Sequence, residues 1–323
     1  MEHKTGSIPG LPFQPSPIFF GTAMGPLLTG DEAAFGVLDQ AAENGVNAFD
    51  CARSYGRAEE MLGRWMQARG CREKVLVLTK AGDIRDGVVR VNRQVIREQM
   101  ARSLETLKTD VIDLFLLHRD DPETPVEEFI ETLNEARKAG MIRLSGVSNW
   151  TRERIEKANR YAAEKGLEGF AVSSPNFGLA RQMKDLWGGG CVTLSGPEHE
   201  EDRAWYRKTG MPVIAYSSLG RGFFSGRFRS GDYETAREVL DSYAQKGYLY
   251  EENMEQLRRA EKLAEKYSVT VPEIAMRYIF SSGMNLFAVV STASRERLRM
   301  NLRAAEHPLS QKETEYLEGN DDE

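Results

Sequence analysis

Short apolar runs alternate with longer amphipathic segments along almost the whole chain. Apolar residues in the longer segments recur at spacings of three and four, which is the period of a helix with one buried face. The short runs have the length of strands, and strands that alternate with helices are typical of parallel sheets joined by crossover helices. The predicted strands are residues 17–23, 47–52, 75–80, 112–118, 144–149, 169–174, 212–218 and 286–292.

Eight strands favour a closed (β/α)8 TIM barrel. Such barrels commonly run to about 250 residues as one unit, so we predict a single domain over residues 1–323. The alternative is an open doubly wound sheet, but FGTAMGP after the first strand does not supply the GxGxxG phosphate turn of that fold. The proline-bearing opening predicts a short N-terminal cap, and the long loops after strands 6 and 7 (177–197 and 219–253) are expected to be functional.

The composition and charge of the chain limit the classes of partner and the cellular compartment that we expect. With 41% hydrophobic and 28% charged residues, the chain is in the range of soluble globular proteins, and its net charge of −6 argues against nucleic-acid binding. Cys51, Cys71 and Cys191 share no CxxC spacing, so neither a zinc site nor disulfides are expected. No run approaches the roughly 18 apolar residues of a membrane span, and no signal peptide is recognisable. We expect a cytoplasmic protein without metal or membrane partners, as a monomer or homo-oligomer.

Four reactive side chains stand at the ends of three successive predicted strands. Asp50 lies near the end of the second strand and Tyr55 follows that strand, while Lys80 closes the third and His118 closes the fourth. Neighbouring parallel strands lie about 4.8 Å apart, so these residues are expected to converge in one mouth of the barrel. An ammonium group lowers the pKa of a neighbouring phenol, and a paired carboxylate keeps that ammonium charged. The set therefore indicates proton transfer, whereas a redox reaction would also require a hydride donor such as a nicotinamide.

Each of these residues also fits a structural role when it is considered alone. Asp50 could cap the helix that follows it, Lys80 could be solvated, and His118 could be a core histidine bound to backbone. Their occurrence together at successive strand ends favours chemistry over these separate roles.

The chain resembles an aldo-keto reductase over nearly its whole length. The motifs that carry the resemblance are DxxxxY with Asp50 and Tyr55, Lys80 after the third strand, LLH ending at His118, GVSNW with Ser148 and Asn149, and YSSLGRGFFSG after the seventh strand. The resemblance implies NADPH-dependent interconversion of a carbonyl and an alcohol on a barrel that lacks a Rossmann fold. It implies Tyr55 as the general acid, Lys80 and Asp50 as the residues that tune it, and His118 as the residue that positions the substrate oxygen.

The resemblance also implies a cofactor site. Its candidate residues are Gly21, Thr22, Ala23, Asp50, Ser148, Asn149, Ser174, Tyr216, Ser217, Leu219, Arg221, Arg297 and Asn301. Ser148 and Asn149 would hold the carboxamide, Tyr216 would stack on the nicotinamide, and Arg297 would contact the 2′-phosphate, which favours NADP.

Three positions depart from the family pattern. Ser174 or Asn176 would replace a glutamine that many members use for the carboxamide. Ser291 and Met300 stand where relatives carry a lysine and a glutamate, which leaves NAD as a second cofactor.

The substrate class expected from these residues is an aldehyde, a ketone or a sugar-like carbonyl. Two other functions stay open at the level of sequence. Lys80 could be the Schiff-base nucleophile of an aldolase-type barrel, or the chain could be a non-catalytic, NADP-sensing subunit of a larger assembly.

Overall fold

The computed structural model describes residues 6–83 and 90–320. Within these residues, eight strands follow one another in chain order as a closed barrel. Each predicted apolar run overlaps one strand, so the predicted (β/α)8 fold is confirmed. The strands are β1 (Ile18–Gly21), β2 (Ala48–Asp50), β3 (Leu76–Ala81), β4 (Ile112–Leu117), β5 (Ile142–Ser148), β6 (Val172–Ser174), β7 (Val213–Ala215) and β8 (Leu286–Val290).

Helices connect the strands, as the three-and-four spacing of apolar residues predicts. Their bounds are α1 (Gly25–Thr29), α2 (Ala33–Glu43), α3 (Ala58–Arg69), α4 (Arg93–Leu107), α5 (Val126–Lys138), α6 (Arg152–Lys165), α7 (Glu200–Thr209), α8 (Tyr233–Val239), α9 (Ser242–Tyr248), α10 (Glu251–Tyr267), α11 (Val271–Phe280), α12 (Arg295–Ala304) and α13 (Gln311–Glu318). Several begin with a side chain that accepts a backbone hydrogen bond, such as Asn92 for α4 and Thr151 for α6.

The described chain divides into two compact units. The N-terminal unit contains Ser7–Ser174 and Val289–Arg295. The C-terminal unit contains Gly6, Pro175–Ala288 and the chain from Glu296 onward. The single domain over residues 1–323 stays a prediction.

The N-terminal unit contains the predicted cap from Ser7 onward. Residues 1–5 of the predicted cap lie outside the described part. Ile8 is fully buried, and the backbone of Ser16 donates to the side chain of Asn47, next to the start of β2. Asn47 in turn donates to the carbonyl of Gln14 at 3.0 Å. The cap is therefore fixed by one apolar contact and by hydrogen bonds to the segment that leads into β2.

The register of the strands determines which side chains reach the carboxyl ends. Asp50, the last residue of β2, pairs with Gly21 in β1 and with Leu78 in β3. Lys80 lies two residues beyond Leu78 and pairs with Leu116 of β4. All residues of β2, β3 and β4 are buried, so the charged ends of these strands are held by an apolar core.

In the C-terminal unit, the connection 219–253 differs from the predicted loop because it contains the short helices α8 and α9. Asp232 and Asp241 begin these helices by accepting the backbone N–H groups of Thr235 and Ala244. Each helix has seven residues, which is too short for its apolar period to stand out in the sequence.

Candidate active site

Asp50 and Lys80 form a buried ion pair at the ends of β2 and β3. The Lys80 Nζ lies 2.5 Å from Asp50 Oδ1, and it also donates to the carbonyl of Cys51 at 2.9 Å. Burial raises the pKa of Asp50, against the opposing charge of Lys80. Burial alone would lower the pKa of Lys80, but the charge of Asp50 and its hydrogen bond oppose this effect, and the net pKa is raised. Lys80 is therefore a charged ammonium at neutral pH.

Tyr55 lies against this ammonium, and its side chain is partly exposed. The Lys80 Nζ is 5.1 Å from the centre of the Tyr55 ring. Burial around the hydroxyl raises the pKa of Tyr55, while the charge of Lys80 and its hydrogen bond lower it by less. The net direction is opposite to the lowering expected from sequence, because desolvation outweighs the ammonium. The phenol consequently carries its proton at neutral pH.

His118 lies next to Tyr55 at the end of β4. The two rings are 5.8 Å apart between centroids and meet edge to face at 78°. The backbone N–H of His118 donates to the carbonyl of Ala81 at 2.7 Å, which extends the pairing of β3 and β4 by one residue. The structure therefore brings Asp50, Tyr55, Lys80 and His118 together within the N-terminal unit.

Ser148, Asn149 and Ser174 form a second polar group in the same unit. The Ser148 hydroxyl donates to the carbonyl of Ser174 at 2.8 Å, and the Asn149 amide donates to the Ser148 hydroxyl at 3.1 Å. Asn149 has a positive φ of 59°, a conformation that asparagine tolerates better than most residues. Its amide also lies 3.4 Å from the carbonyl of His118, which links this group to the proton-transfer residues.

The predicted residues after β1 have different environments. Thr22 is fully buried, and both its backbone N–H and its hydroxyl donate to the carbonyl of Asp50 at 2.9 Å. The Gly21 carbonyl accepts a hydrogen bond from Ser291 at 2.7 Å, whereas Ala23 is exposed. Thr22 thus fixes the end of β2 through the backbone of Asp50.

An aromatic cluster surrounds Arg221 in the C-terminal unit. The guanidinium lies 5.6 Å from the ring centre of Trp187 and 5.5 Å from that of Tyr243, and it pairs with Asp241 at 2.6 Å. The ring of Tyr216 is 5.8 Å from that of Trp187. Two of the predicted cofactor residues, Tyr216 and Arg221, therefore share Trp187 as a neighbour.

The neighbouring predicted residues Ser217 and Leu219 belong to the turn after β7. Ser217 has a positive φ of 55°, and its carbonyl accepts the backbone N–H of Gly220 at 2.8 Å. The carbonyl of Leu219 accepts the backbone N–H of Phe224 at 3.1 Å. These backbone hydrogen bonds hold the turn. The side chains of Ser217 and Leu219 are half-buried.

The loop that carries Trp187 is organised by a carboxylate that the sequence did not reveal. Asp185 accepts the backbone N–H groups of Trp187, Gly188, Gly190 and Cys191 at 3.0–3.2 Å. Burial would raise the pKa of Asp185, but these hydrogen bonds lower it to about 2. The loop is thus held by an ionised carboxylate over the whole physiological pH range.

The remaining predicted residues, Arg297 and Asn301, lie one helical turn apart on α12. Arg297 is exposed, whereas Asn301 is 2% exposed. No donor among residues 6–83 and 90–320 reaches the buried Asn301 Oδ1. A buried acceptor without a donor costs about 1–3 kcal/mol, so a water molecule or a ligand that donated to this oxygen would stabilise it.

The whole-chain comparison decides the family. The model of the Aldo/keto reductase family matches residues 17–322. The chain belongs to this family of oxidoreductases. The aldo-keto reductase str7 of Strobilurus tenacellus is 27% identical over 292 residues, which cover 88% of this chain and 79% of that protein. The aldo-keto reductase yakc [NADP(+)] of Schizosaccharomyces pombe is 27% identical over 293 residues, which cover 87% of this chain and 80% of that protein.

The fold agrees with that of solved members. The glycerol dehydrogenase of Gluconobacter oxydans superposes with a TM-score of 0.77 at 24% identity, covering 99% of this chain and 95% of that one. No helix in the described part of the aldo-keto reductase chain has the length and hydropathy needed to cross a bilayer. The same residues contain no group of three or more His, Cys, Asp or Glu side chains placed to hold a metal ion.

The departures from the family pattern can now be described. Asn176 is engaged within the C-terminal unit: its amide donates to Tyr248 at 3.0 Å, and its carbonyl oxygen accepts from Thr193 at 2.8 Å. Met300 is buried, and its sulfur accepts a hydrogen bond from Thr270 at 3.2 Å, so it belongs to the packing of this unit.

Proposed function

We propose that this chain reduces an aldehyde, ketone or sugar-like carbonyl to the alcohol, reversibly, with NADPH as the reductant and Tyr55 as the general acid. The observation that carries the proposal is the buried pairing of Asp50 with Lys80 beside the Tyr55 ring. Bound NADPH supplies the hydride to the carbonyl carbon. Tyr55 gives its proton to the carbonyl oxygen, and the neighbouring Lys80 ammonium stabilises the phenolate that results.

His118 orients the carbonyl oxygen by hydrogen bonding, while Ser148, Asn149 and Ser174 hold the carboxamide of the cofactor. Tyr216 would stack on the nicotinamide, and Arg221 would bind the pyrophosphate. Arg297 would contact the 2′-phosphate, because the forked donors of a guanidinium suit phosphate oxygens. The unsatisfied Asn301 Oδ1 supports a contact with the amino group of adenine.

The preference for NADP over NAD rests on Arg297 and on the Schizosaccharomyces pombe relative, whose name includes NADP(+). NAD is retained as a weaker second cofactor. We also propose a reducing, cytoplasmic setting, as the spacing of the three cysteines in the sequence indicates.

The aldolase alternative receives less support from the geometry. A Schiff-base lysine must attack as a neutral amine, and such lysines have a lowered pKa. The charge of Asp50 instead raises the pKa of Lys80. A non-catalytic subunit would have no need of the complete set of proton-transfer residues.

The decisive experiment removes the Tyr55 hydroxyl. We expect Tyr55→Phe to lower kcat by about 10²–10⁴-fold, the usual contribution of a general acid, while NADPH still binds. Tyr161→Phe is the matched control, since the Tyr161 hydroxyl on α6 donates to Glu131 on α5 at 2.7 Å. Stopped-flow loss of NADPH absorbance measures turnover, and cofactor fluorescence measures binding. Full turnover by Tyr55→Phe would remove this residue from the mechanism.

A further inference from the structure

We propose that Asp83 is a positioning residue for His118. It holds a proton on His118 Nδ1, so that the ring contacts the substrate oxygen through Nε2. This inference rests on the proposed function, because it assigns a role to a carboxylate beside the proposed site. Tyr55 remains the residue that transfers the proton, and Asp83 acts only through hydrogen bonding.

The contact is between two deeply buried side chains. Asp83 Oδ2 lies 3.5 Å from His118 Nδ1, and the two side chains are 2% and 7% exposed. The hydroxyl of Ser54 lies 3.4 Å from the same nitrogen. An ionised carboxylate can only accept a hydrogen bond, so it favours the ring in which Nδ1 carries the proton. Contacts of this length are longer than ordinary hydrogen bonds, and in enzymes they commonly shorten when substrate binds.

The backbone around both residues is fixed. His118 is bound to Ala81 through its N–H, as described above. Gly82, between Ala81 and Asp83, has a φ of +77° and donates its N–H to Gln99 Oε1 at 2.7 Å. A Cβ atom at Gly82 would come within 2.8 Å of a Val91 methyl group, so this position accepts no larger residue without a shift. Asp83 is consequently held close to the last residues of β3.

A fixed Nδ1 proton determines what His118 can do at Nε2. In the neutral ring, Nε2 accepts a hydrogen bond, as an alcohol hydroxyl requires. In the doubly protonated ring, Nε2 donates one, as a carbonyl oxygen requires, and the carboxylate of Asp83 balances the charge. One orientation of the ring thus serves both substrates of a reversible reaction.

Nitrogen NMR of histidine-labelled protein tests the assignment without any turnover. The chain has four histidines, and the His118 signals are identified by their loss in His118→Gln. At a pH at which imidazole is neutral, we expect the His118 proton on Nδ1 in the natural protein. In Asp83→Asn we expect it to move to Nε2, and in Ser54→Ala we expect it to stay on Nδ1. A proton on Nε2 in the natural protein would overturn the proposal.

Kinetics supply a second readout. We expect Asp83→Asn to lower kcat by about 10- to 100-fold, the range for groups that orient a functional histidine, with the KM for NADPH unchanged. Asp83→Glu should restore part of the loss. Asp113→Asn is the matched control: Asp113 is as deeply buried, at the other end of β4, where it pairs with Arg72 and Arg143.

The control separates loss of stability from loss of positioning. We expect Asp113→Asn to destabilise the protein but to leave the His118 spectrum unchanged. An Asp83→Asn protein that retains the natural tautomer would refute the inference. Because the NMR signals do not depend on activity, this failure is distinguishable from a failure of the proposed function.

Discussion

Asp50 and Lys80 each need the other, because either charge would be buried without an ionic partner if the pair were broken. Burying a charge costs several kcal/mol unless a partner and further hydrogen bonds compensate for it. Lys80 finds that compensation in the carboxylate of Asp50 and in the carbonyl of Cys51. The Lys80 ammonium therefore has two roles: it assists Tyr55, and it stabilises the buried carboxylate of Asp50 at the ends of β2 and β3.

Lys80→Met should expose this dependence. We expect it to abolish turnover and to lower the free energy of unfolding by about 3–5 kcal/mol at neutral pH, since it leaves a buried carboxylate unpaired. Burial already raises the pKa of Asp50, and loss of the ammonium removes the opposing effect. The folded state then binds a proton more tightly than the unfolded state, so the destabilisation should shrink as the pH falls through the raised pKa of Asp50 toward its ordinary value of about 4.

Urea unfolding at several pH values measures this effect. The double variant Asp50→Asn/Lys80→Met is the control, because it has no buried charge at this pair. It should be more stable than Lys80→Met at neutral pH and equally inactive. A pH-independent loss of stability in Lys80→Met would contradict the explanation.

The segment between β2 and α3, which carries Tyr55, depends on one carboxylate in the first turn of α3. Glu59 is buried; it accepts from Thr79 at 2.7 Å and from Arg53 at 2.6 Å. Thr79 precedes Lys80 in β3, and Arg53 lies two residues before Tyr55. Glu59 thus ties the strand that carries the ammonium to the segment that carries the phenol.

We expect Glu59→Ala to lower both kcat and stability, because it leaves Thr79 and Arg53 without their charged acceptor. Each hydrogen bond to a charged group contributes about 1.5–3 kcal/mol. The adjacent Glu60 is the matched control, since it forms ion pairs at the surface with Arg57 and Arg64. Its replacement by alanine should cost no more than about 1 kcal/mol. Hydrogen exchange of residues 51–57 distinguishes the variants, and equal protection in both would contradict the role of Glu59.

The sequence predicts elements well where burial determines them. Apolar runs mark all eight strands. The reactive residues are visible because they are polar side chains at or just after the ends of these runs. Glu59 is not visible in this way, since a glutamate in the first turn of a helix is ordinary. Asp83 also escapes prediction, because its partner His118 is distant in sequence and is reached only through the pairing of β3 with β4. The pKa of Tyr55 depends on desolvation, which requires coordinates.

At the scale of the whole molecule, the proposed binding of NADPH is linked to the stability of the fold. A ligand that binds only the folded protein stabilises it by mass action, by about 2.7 kcal/mol at a concentration of 100 times Kd. Thermal unfolding therefore reports the affinity of each cofactor without a substrate.

Arg297, an exposed residue in the first turn of α12, should determine the preference of the protein for NADPH over NADH. We expect Arg297→Gln to weaken NADPH binding by about tenfold or more, because it removes a charge-assisted contact worth about 1.5–3 kcal/mol, and to leave NADH binding unchanged. Arg299→Gln, another exposed arginine of the same helix, should change neither affinity. Quenching of Trp187, which lies beside Tyr216 and Arg221, measures both titrations. An equal loss of affinity for NADPH and NADH would mean that Arg297 acts on a part that the two cofactors share, and the 2′-phosphate contact would then have to be assigned elsewhere.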